Sequence, residues 1–406
     1  MARYKRGEAK QYIDGKTVTE AAEERIRHCY DRFDEIVVSF SGGKDSTAVL
    51  NMVIKVATEL DRLPVRVDFF DEEVITPDTY EYVNRVRQRP EVDMNWYCLP
   101  FKHAHGCSLR KKEWKTFDPK DEDKWVRPMP DWAISEHPRF KLGMSFQDFG
   151  EVKYPEELGM VCVLTGIRTD ESINRLRSIV NNRSNLSQKG ESWITLRAKS
   201  GNTYFATPIY DWSSHDVWIL VREWGLDYNK TYDKYNMTEL EGQLAVQRIS
   251  QAFGEQPIRK LWTWKVMYPE MWDAMLRRLP GVATAYRYAN TELFGVGTAD
   301  KPEKLSWQEY TNVVIGYDAD VKARNAVRKS INGLLRSHAR KTDDPVPEES
   351  PHPLSGLSWR GLCQLAMRRE TKGRFASNFE NKAIQKQDQL GITYEQAKQQ
   401  YGKRSN

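Results

Sequence analysis

The sequence predicts an α/β fold, a parallel sheet with helices on both faces, followed by a helical C-terminal region. Three observations carry this. Short apolar runs near residues 35–40, 65–70 and 159–165 alternate with helical stretches, the pattern of a sheet covered by crossover helices. A glycine-bearing turn, Ser41-Gly-Gly-Lys-Asp-Ser46, joins the first of these strands to a helix. Strand signals nearly vanish after about residue 240.

The elements follow in order. Thr17-Val-Thr-Glu20 is a capping-box pattern opening a helix to about Phe33. Glu35–Phe40 is a β-branched strand, Ser46–Leu60 a helix, Val65–Phe70 a second strand and Pro77–Gln88 a second helix. Cys98–Pro130 reads as irregular. Gly159–Thr165 is a third, buried strand, and Ser172–Val180 starts another helix. Trp193–Pro208 looks like a hairpin around Ser200-Gly-Asn202. His215–Trp224 is helical, with His215 in the cap, as are much of Glu239–Phe253 and Pro269–Arg278. Asp320–Lys341 is a basic helix, and Asp343–Gly356, with four prolines, reads as a linker. The expected organisation is an α/β domain over 1–235, a helical extension over 236–342, a linker over 343–356 and a small helical tail over 357–406.

At 406 residues the chain is long for a single core. No apolar run reaches the about 18 residues of a membrane helix, and no apolar stretch follows the basic N-terminus, so neither a membrane partner nor a signal peptide is expected. Five cysteines without framework spacing fit a reducing, cytoplasmic setting. Charge is uneven: residues 301–406 hold 19 Lys and Arg against 12 Asp and Glu, whereas residues 1–300 hold 43 against 45. The basic excess points to an anionic partner such as nucleic acid, or to a solvated face. On the basic helix Lys322, Lys329, Arg336 and Arg340 recur at seven- and four-residue steps and share one face. A second basic group, Arg368, Arg369, Lys372 and Arg374, follows the proline-rich stretch.

The turn at 41–46 has the physics of a phosphate cradle. Ser39 lies near the end of the strand and is placed with the nucleotide-binding residues, Gly42 and Gly43 allow close approach of an anion, and the amides of Gly43 to Ser46 stand at a helix N-terminus. Ser41 and Ser46 add hydroxyls and Lys44 adds charge. Asp45 is unusual beside phosphate unless it holds Mg²⁺ or orients the loop. The spacing is not that of a Walker A loop.

Here the chain resembles the PP-loop ATP pyrophosphatase superfamily, with its adenine nucleotide alpha hydrolase-like fold. Three further segments resemble the phosphoadenosine phosphosulfate (PAPS) reductase-like branch: Val67-Asp-Phe-Phe-Asp-Glu-Glu-Val followed by Pro77-Asp-Thr-Tyr; Gly166-Ile-Arg-Thr-Asp-Glu-Ser172 with Arg175; and Pro208-Ile-Tyr-Asp-Trp through Asp216-Val-Trp218, with Tyr228-Asn and Tyr232-Asp. Arg168 and Arg175, seven apart, are placed to face one anion if the helix starts early. Asp71 ends a strand, where it would meet a ribose or a metal ion, or serve a helix N-terminus.

The departure from that branch is chemical. Its C-terminal Glu-Cys-Gly-Ile-His-type segment and the paired cysteines of an iron–sulfur cluster are missing, and Cys363 lies on an apolar stripe. Thiol-based sulfonate reduction needs an accessible thiolate, so no redox role and no iron–sulfur cluster are expected. Met237, Gln247-Arg-Ile-Ser, Phe253-Gly, Tyr268-Pro-Glu-Met-Trp and Arg278 with Gly281-Val-Ala resemble a poorly characterised subgroup that keeps the loop and replaces the redox tail with helices. That resemblance implies a ParB-like protein partner.

Cys98, His103, His105 and Cys107 offer four zinc ligands within ten residues, more compactly than zinc-finger patterns do. The alternative is core cysteines and scattered histidines. The expectation is an enzyme that binds ATP (or PAPS) with Mg²⁺ and hydrolyses ATP between the α- and β-phosphates to adenylate a substrate linked to nucleic acid. Lys44, Asp45 and Arg168 are its expected catalytic residues. Gly166 and Arg175 join the loop in holding the nucleotide. The alternatives are a PAPS reductase using an external thiol and a nucleotide-sensing, DNA-binding regulatory protein.

Overall fold

The structure is a computed structural model that describes residues 10–403, apart from 109–112, 181–190, 197–200, 239–248, 250, 255–257, 259–260, 289–300, 317–320 and 368–373. The chain divides into two compact units, Met1–Arg287 and Tyr288–Asn406.

In the first unit, α1 (Val18–Arg32) opens on the expected capping box, with Thr17 and Glu20 exchanging side-chain and backbone bonds. Then follow β1 (Glu35–Ser39), α2 (Lys44–Glu59), β2 (Val65–Phe70), α3 (Pro77–Arg87) and β3 (Val92–Tyr97). A short antiparallel pair, β4 (Lys102–Ala104) and β5 (Glu113–Lys115), leads through α4 (Phe146–Val152) to β6 (Val161–Leu164) and α5 (Ile173–Val180). The edge pair β7 (Ile194–Leu196) and β8 (Thr203–Ala206) precedes α6 (Ser214–Glu223), α7 (Thr231–Thr238), α8 (Leu261–Met267), α9 (Pro269–Arg278) and α10 (Val282–Tyr288).

The main sheet has six strands in the order β3-β2-β1-β6-β8-β7. All neighbours are parallel except β7 on β8. β1 sits centrally because both its faces are apolar: Ile36 and Val38 join the core under α1, α2 and α6, while Val37 packs with Val161 and Val163 on the other face. From β1 the chain first winds one way, through β2 to β3, and then crosses to β6 on the other side. The order therefore reverses between β1 and β6. Sheets of this kind place their ligands at such a reversal, outside the carboxyl ends of the two strands.

Several sequence expectations need correction. β3 carries no strand signal of its own in the sequence, because Asp93 and Asn95 interrupt its apolar character at a partly exposed edge. Within Cys98–Pro130, β4 and β5 are regular. Of the helix expected over Glu239–Phe253, residues 239–248 and 250 lie outside the described residues, and Ala252 and Phe253 form a buried turn. Ser200 in the hairpin turn and Asp320 also lie outside them. The cap before α6 is Ser213, which shares a capping box with Asp216, and His215 is already helical.

The break expected at 235/236 also fails to mark a unit boundary, because α9 is bonded into the α/β core. Arg278, with its side chain 2% exposed, donates from Nε to Glu73 Oε1 at 2.6 Å and from its terminal nitrogen to Oε2 at 3.0 Å. The same guanidinium reaches the Lys115 carbonyl at 2.6 Å and lies 5.0 Å over the Trp114 ring. Glu73 in turn accepts the amides of Phe117 and Val126.

The second unit comprises α11 (Trp307–Gly316), α12 (Val321–Lys341), α13 (Trp359–Met367), α14 (Arg374–Leu390) and α15 (Tyr394–Tyr401). Its core gathers Ile315, Val327, Ile331, Leu357, Leu362, Leu365, Ala366 and Phe379. The proline-rich stretch is packed rather than a free linker. His338 on α12 bonds Ser355 Oγ at 2.7 Å and the Asp344 carbonyl at 2.8 Å, and Leu354 and Leu357 are buried. Among the described residues no helix is long and apolar enough to cross a membrane.

Removing one partner of a buried, bidentate pair leaves the other charge without compensation. Arg278→Met is therefore expected to cost about 3–5 kcal/mol of stability, measured by urea unfolding with tryptophan fluorescence. A loss below about 1 kcal/mol, the range of exposed pairs, would show that the helices are held by other means.

Candidate nucleotide site at the switch point

The loop leaves β1 at Ser39, turns through Gly42 and enters α2 with Gly43 as its N-cap residue. Gly42 has φ +71°, a conformation that L side chains rarely adopt, and a Cβ there would lie 2.9 Å from Val83 Cγ2. Its carbonyl accepts Asn229 Nδ2 at 3.0 Å. Within the turn Ser41 N–H donates to Ser46 Oγ at 3.2 Å, Gly43 N–H to Ser41 Oγ at 3.3 Å, and Ser46 Oγ to the Gly43 carbonyl at 2.9 Å. The seryl hydroxyls thus brace the loop.

Of the four amides expected to face an anion, two are engaged inside the protein: that of Gly43, and that of Lys44, which donates to Tyr232 Oη at 3.0 Å. The amides of Asp45 and Ser46 follow in the first turn of α2, where the helix dipole favours negative charge.

β6 brings the second half of the site. After Leu164 the chain passes Gly166, whose hypothetical Cβ would stand 2.7 Å from the Asp45 carbonyl carbon and 2.8 Å from the Ser46 nitrogen. No side chain fits between this strand end and the loop. Two residues on, Arg168 is 3% exposed and donates from Nε to Asp45 Oδ1 at 2.7 Å, with a second bond to the Trp212 carbonyl at 3.3 Å. Lys44 is 2% exposed, and its Nζ stands 3.6 Å from Asp45 Oδ2 and 5.4 Å over the Tyr232 ring. Burial pulls the Lys44 ammonium below its ordinary range, with Asp45 opposing that shift. One carboxylate thus gathers two buried cations at the mouth of the switch point.

Arg175 does not join Arg168 on one helical face, because α5 begins only at Ile173. Glu171 links them instead, with Oε2 paired to Arg175 and Oε1 at 3.9 Å from Arg168. Asp71 is likewise not open to a ribose or a metal ion. It is fully buried and accepts Trp96 Nε1 at 2.7 Å, the Glu73 amide at 2.9 Å, the Cys98 thiol at 3.6 Å and Arg127.

The expected zinc ligands do not converge. Cys98 points to Asp71, His103 lies between Trp114 and Phe146 with Nδ1 3.6 Å from Glu72, and His105 Nδ1 accepts the Cys107 amide at 3.1 Å. Among the described residues no three His, Cys, Asp or Glu side chains gather to hold a metal ion. The Asp45 oxygens, suggested by the sequence as Mg²⁺ ligands, face Lys44 and Arg168 in this structure.

All five thiols are buried. Burial raises those of Cys98, Cys162 and Cys363, and pushes Cys107 up to about 12. The same cause moves Glu72 up to about 7, helped by the adjacent Asp71 charge, and His103 down to about 4.

Sequence reasoning missed Asn229 and Tyr232 as loop supports, although their segment had been singled out. It also missed what the Pro208–Trp212 stretch does: the Tyr210 carbonyl accepts the Thr169 amide at 2.7 Å and the Trp212 carbonyl accepts Arg168. Only the folded chain shows these carbonyls directed at the β6 end.

A family model described as Phosphoadenosine phosphosulfate reductase domain matches residues 35–238. The chain belongs to this family. A second model, Domain of unknown function (DUF3440), matches residues 242–334. The chain is 29% identical over 365 residues to the uncharacterized protein YbdN of Escherichia coli (strain K12), covering 86% of this chain and 87% of that one. Among solved structures it is similar to a PAPS reductase from Candida auris in a phosphate complex, with 18% identity, 55% of this chain and 87% of the other covered, and a TM-score of 0.30. It is also similar to the FMN adenylyltransferase of Candida glabrata in complex with ATP, with 13% identity, 55% and 60% covered, and a TM-score of 0.33. The PAPS reductase domain thus spans all six strands of the main, mostly parallel sheet and the loop.

A methyl group at Gly166 would meet loop backbone, which cannot swing aside as a side-chain tip can. Gly166→Ala is expected to weaken ATP binding at least tenfold by calorimetric titration. Gly150→Ala, at a position with open space, should leave it unchanged. Equal affinities in the two variants would show that the loop and the β6 end need not pack to bind nucleotide.

Proposed function

We propose that this chain binds ATP at the Ser41–Ser46 loop and cleaves it between the α- and β-phosphates to adenylate a substrate linked to nucleic acid. The observation that carries this reading is the pair of buried cations, Lys44 and Arg168, held on one carboxylate where the loop meets the β6 end. Polyphosphate arriving at the α2 N-terminus competes with Asp45 for both cations. The first-turn amides, Lys44 and Arg168 would then hold the β- and γ-phosphates and stabilise charge on the departing pyrophosphate. A substrate nucleophile attacks the α-phosphorus, the α–β bridging bond breaks, pyrophosphate leaves with its electron pair, and the adenylate forms. The protein's share is positional and electrostatic. Membership of the PAPS reductase domain family supports an adenine nucleotide as the ligand.

Family membership also favours a second reading, in which PAPS is the nucleotide and sulfite the product. It would need an external thiol, because all five cysteines of this chain are buried. A nucleotide sensor without turnover would release neither product.

Incubation with ATP is expected to yield AMP or adenylate together with pyrophosphate, read by a coupled pyrophosphate assay. Lys44→Ala should weaken ATP about 10- to 100-fold, the loss of one charge-assisted contact. ADP with phosphate as products, or sulfite from PAPS with dithiothreitol and no pyrophosphate from ATP, would replace this reading.

A further inference from the structure

The basic excess of the C-terminal region has a definite place in the fold. At the end of α12, Arg340 and Lys341 face α15 across an open groove of about 750 Å³, whose α15 side carries Tyr394, Lys398 and, just beyond the helix, Lys403. Among the described residues Glu395 is the only carboxylate in its lining. Lys341 Nζ is held at 3.3 Å by the Leu354 carbonyl, which also lines the groove. Tyr394 is 55% exposed, and Lys398 lies one helical turn further along, on the same face.

The approach is charged as well. Lys322, Lys329, Arg336 and Arg340 are all exposed on α12, while Val327 and Ile331 turn inward to the core of the unit. At 1.5 Å per residue, this basic face runs roughly 27 Å toward the groove. Of the second basic group, Arg368, Arg369 and Lys372 lie outside the described residues.

We infer that the groove between the end of α12 and α15 binds single-stranded nucleic acid, with phosphates on Arg340, Lys341, Lys398 and Lys403 and a base stacked on Tyr394. The charges select a polyanion and supply no sequence preference. The tyrosine selects the single strand, because a duplex keeps its base faces stacked on each other, whereas a single strand turns them to an aromatic platform. The volume lies in the range of small-ligand sites, enough for a short stretch of strand and too small to enclose a duplex. This inference rests on the reading of the acceptor as nucleic-acid linked. It does not depend on ATP turnover at the loop.

The test is fluorescence anisotropy of the full chain with a labelled oligothymidine of about 12 nucleotides, within the span of known single-strand sites. The same sequence as a duplex serves as comparison, and each is titrated at several salt concentrations. Binding of the single strand is expected to fall with salt with a log–log slope of roughly −2 to −3, as for four neutralised phosphates. Arg340→Glu with Lys398→Glu should weaken it at least tenfold. Tyr394→Ala should weaken the single strand severalfold and leave the duplex unchanged. The inference is overturned if no binding appears near about 50 mM salt, if the charge reversals change nothing, or if the duplex binds as tightly and Tyr394→Ala affects neither. Pyrophosphate release from ATP by the same charge-reversal variants separates the two readings: retained release with lost oligothymidine binding is expected, and loss of both would indicate a misfolded variant, to be checked with Lys403→Glu.

Discussion

The carboxylate of Asp45 is the interaction on which the site depends. It stands in the first turn of α2, holds Arg168 from the far side of the switch point and has Lys44 beside it. Two cations brought this close out of water would repel one another and lose their hydration without a counter-charge. The Asp45 carboxylate supplies it at 2.7 Å from Arg168, with Asp170 and Glu171 further off at 3.6 and 3.9 Å, and in doing so fixes the β6 end against the loop. An aspartate in a glycine-bearing loop beside a lysine looks misplaced until this pairing is seen: it holds both cations in position where the loop meets the β6 end.

The surrounding structure serves that arrangement. Gly166 lets β6 come within contact of the loop backbone. Asn229 and Tyr232 pin the loop from the α7 side, through the Gly42 carbonyl and the Lys44 amide. The Trp212 carbonyl holds Arg168 from behind, and the Trp212 indole is itself anchored on the Val18 carbonyl at 3.1 Å. Three stretches far apart in sequence therefore converge on six loop residues. On the β2 side, Glu73 and Arg278 tie the following helices to the sheet, so that the sheet and α9 belong to one compact unit.

Much of this was legible before folding. The strand–loop–helix at 35–60, the second strand and its helix, and α9 follow from local signals: β-branched runs, a Pro at the helix start, a capping box. Arg168 could be picked out because it follows a buried apolar run. What could not be read was long-range. β3 mixes Asp93 and Asn95 with apolar residues, and pairing to β2 rather than its own pattern makes it a strand. Asp71 looked like a ligand because it ends a strand, but Trp96, Cys98 and Arg127, distant in sequence, enclose it. The four Cys and His residues looked like a metal set because spacing says nothing about direction. The proline-rich stretch looked like a linker because composition alone does not reveal the two bonds that His338 makes to it.

The affinity of Arg168→Gln for ATP, measured by calorimetric titration alongside the unaltered chain, tests the role of this pair most directly. If the Arg168 guanidinium leaves Asp45 to meet phosphate, the variant loses a charge-assisted contact, and ATP should bind about 10- to 100-fold more weakly. An affinity within about twofold of the unaltered chain, in a variant that unfolds at the same urea concentration, would contradict it: Arg168 would then be no more than the structural partner of Asp45.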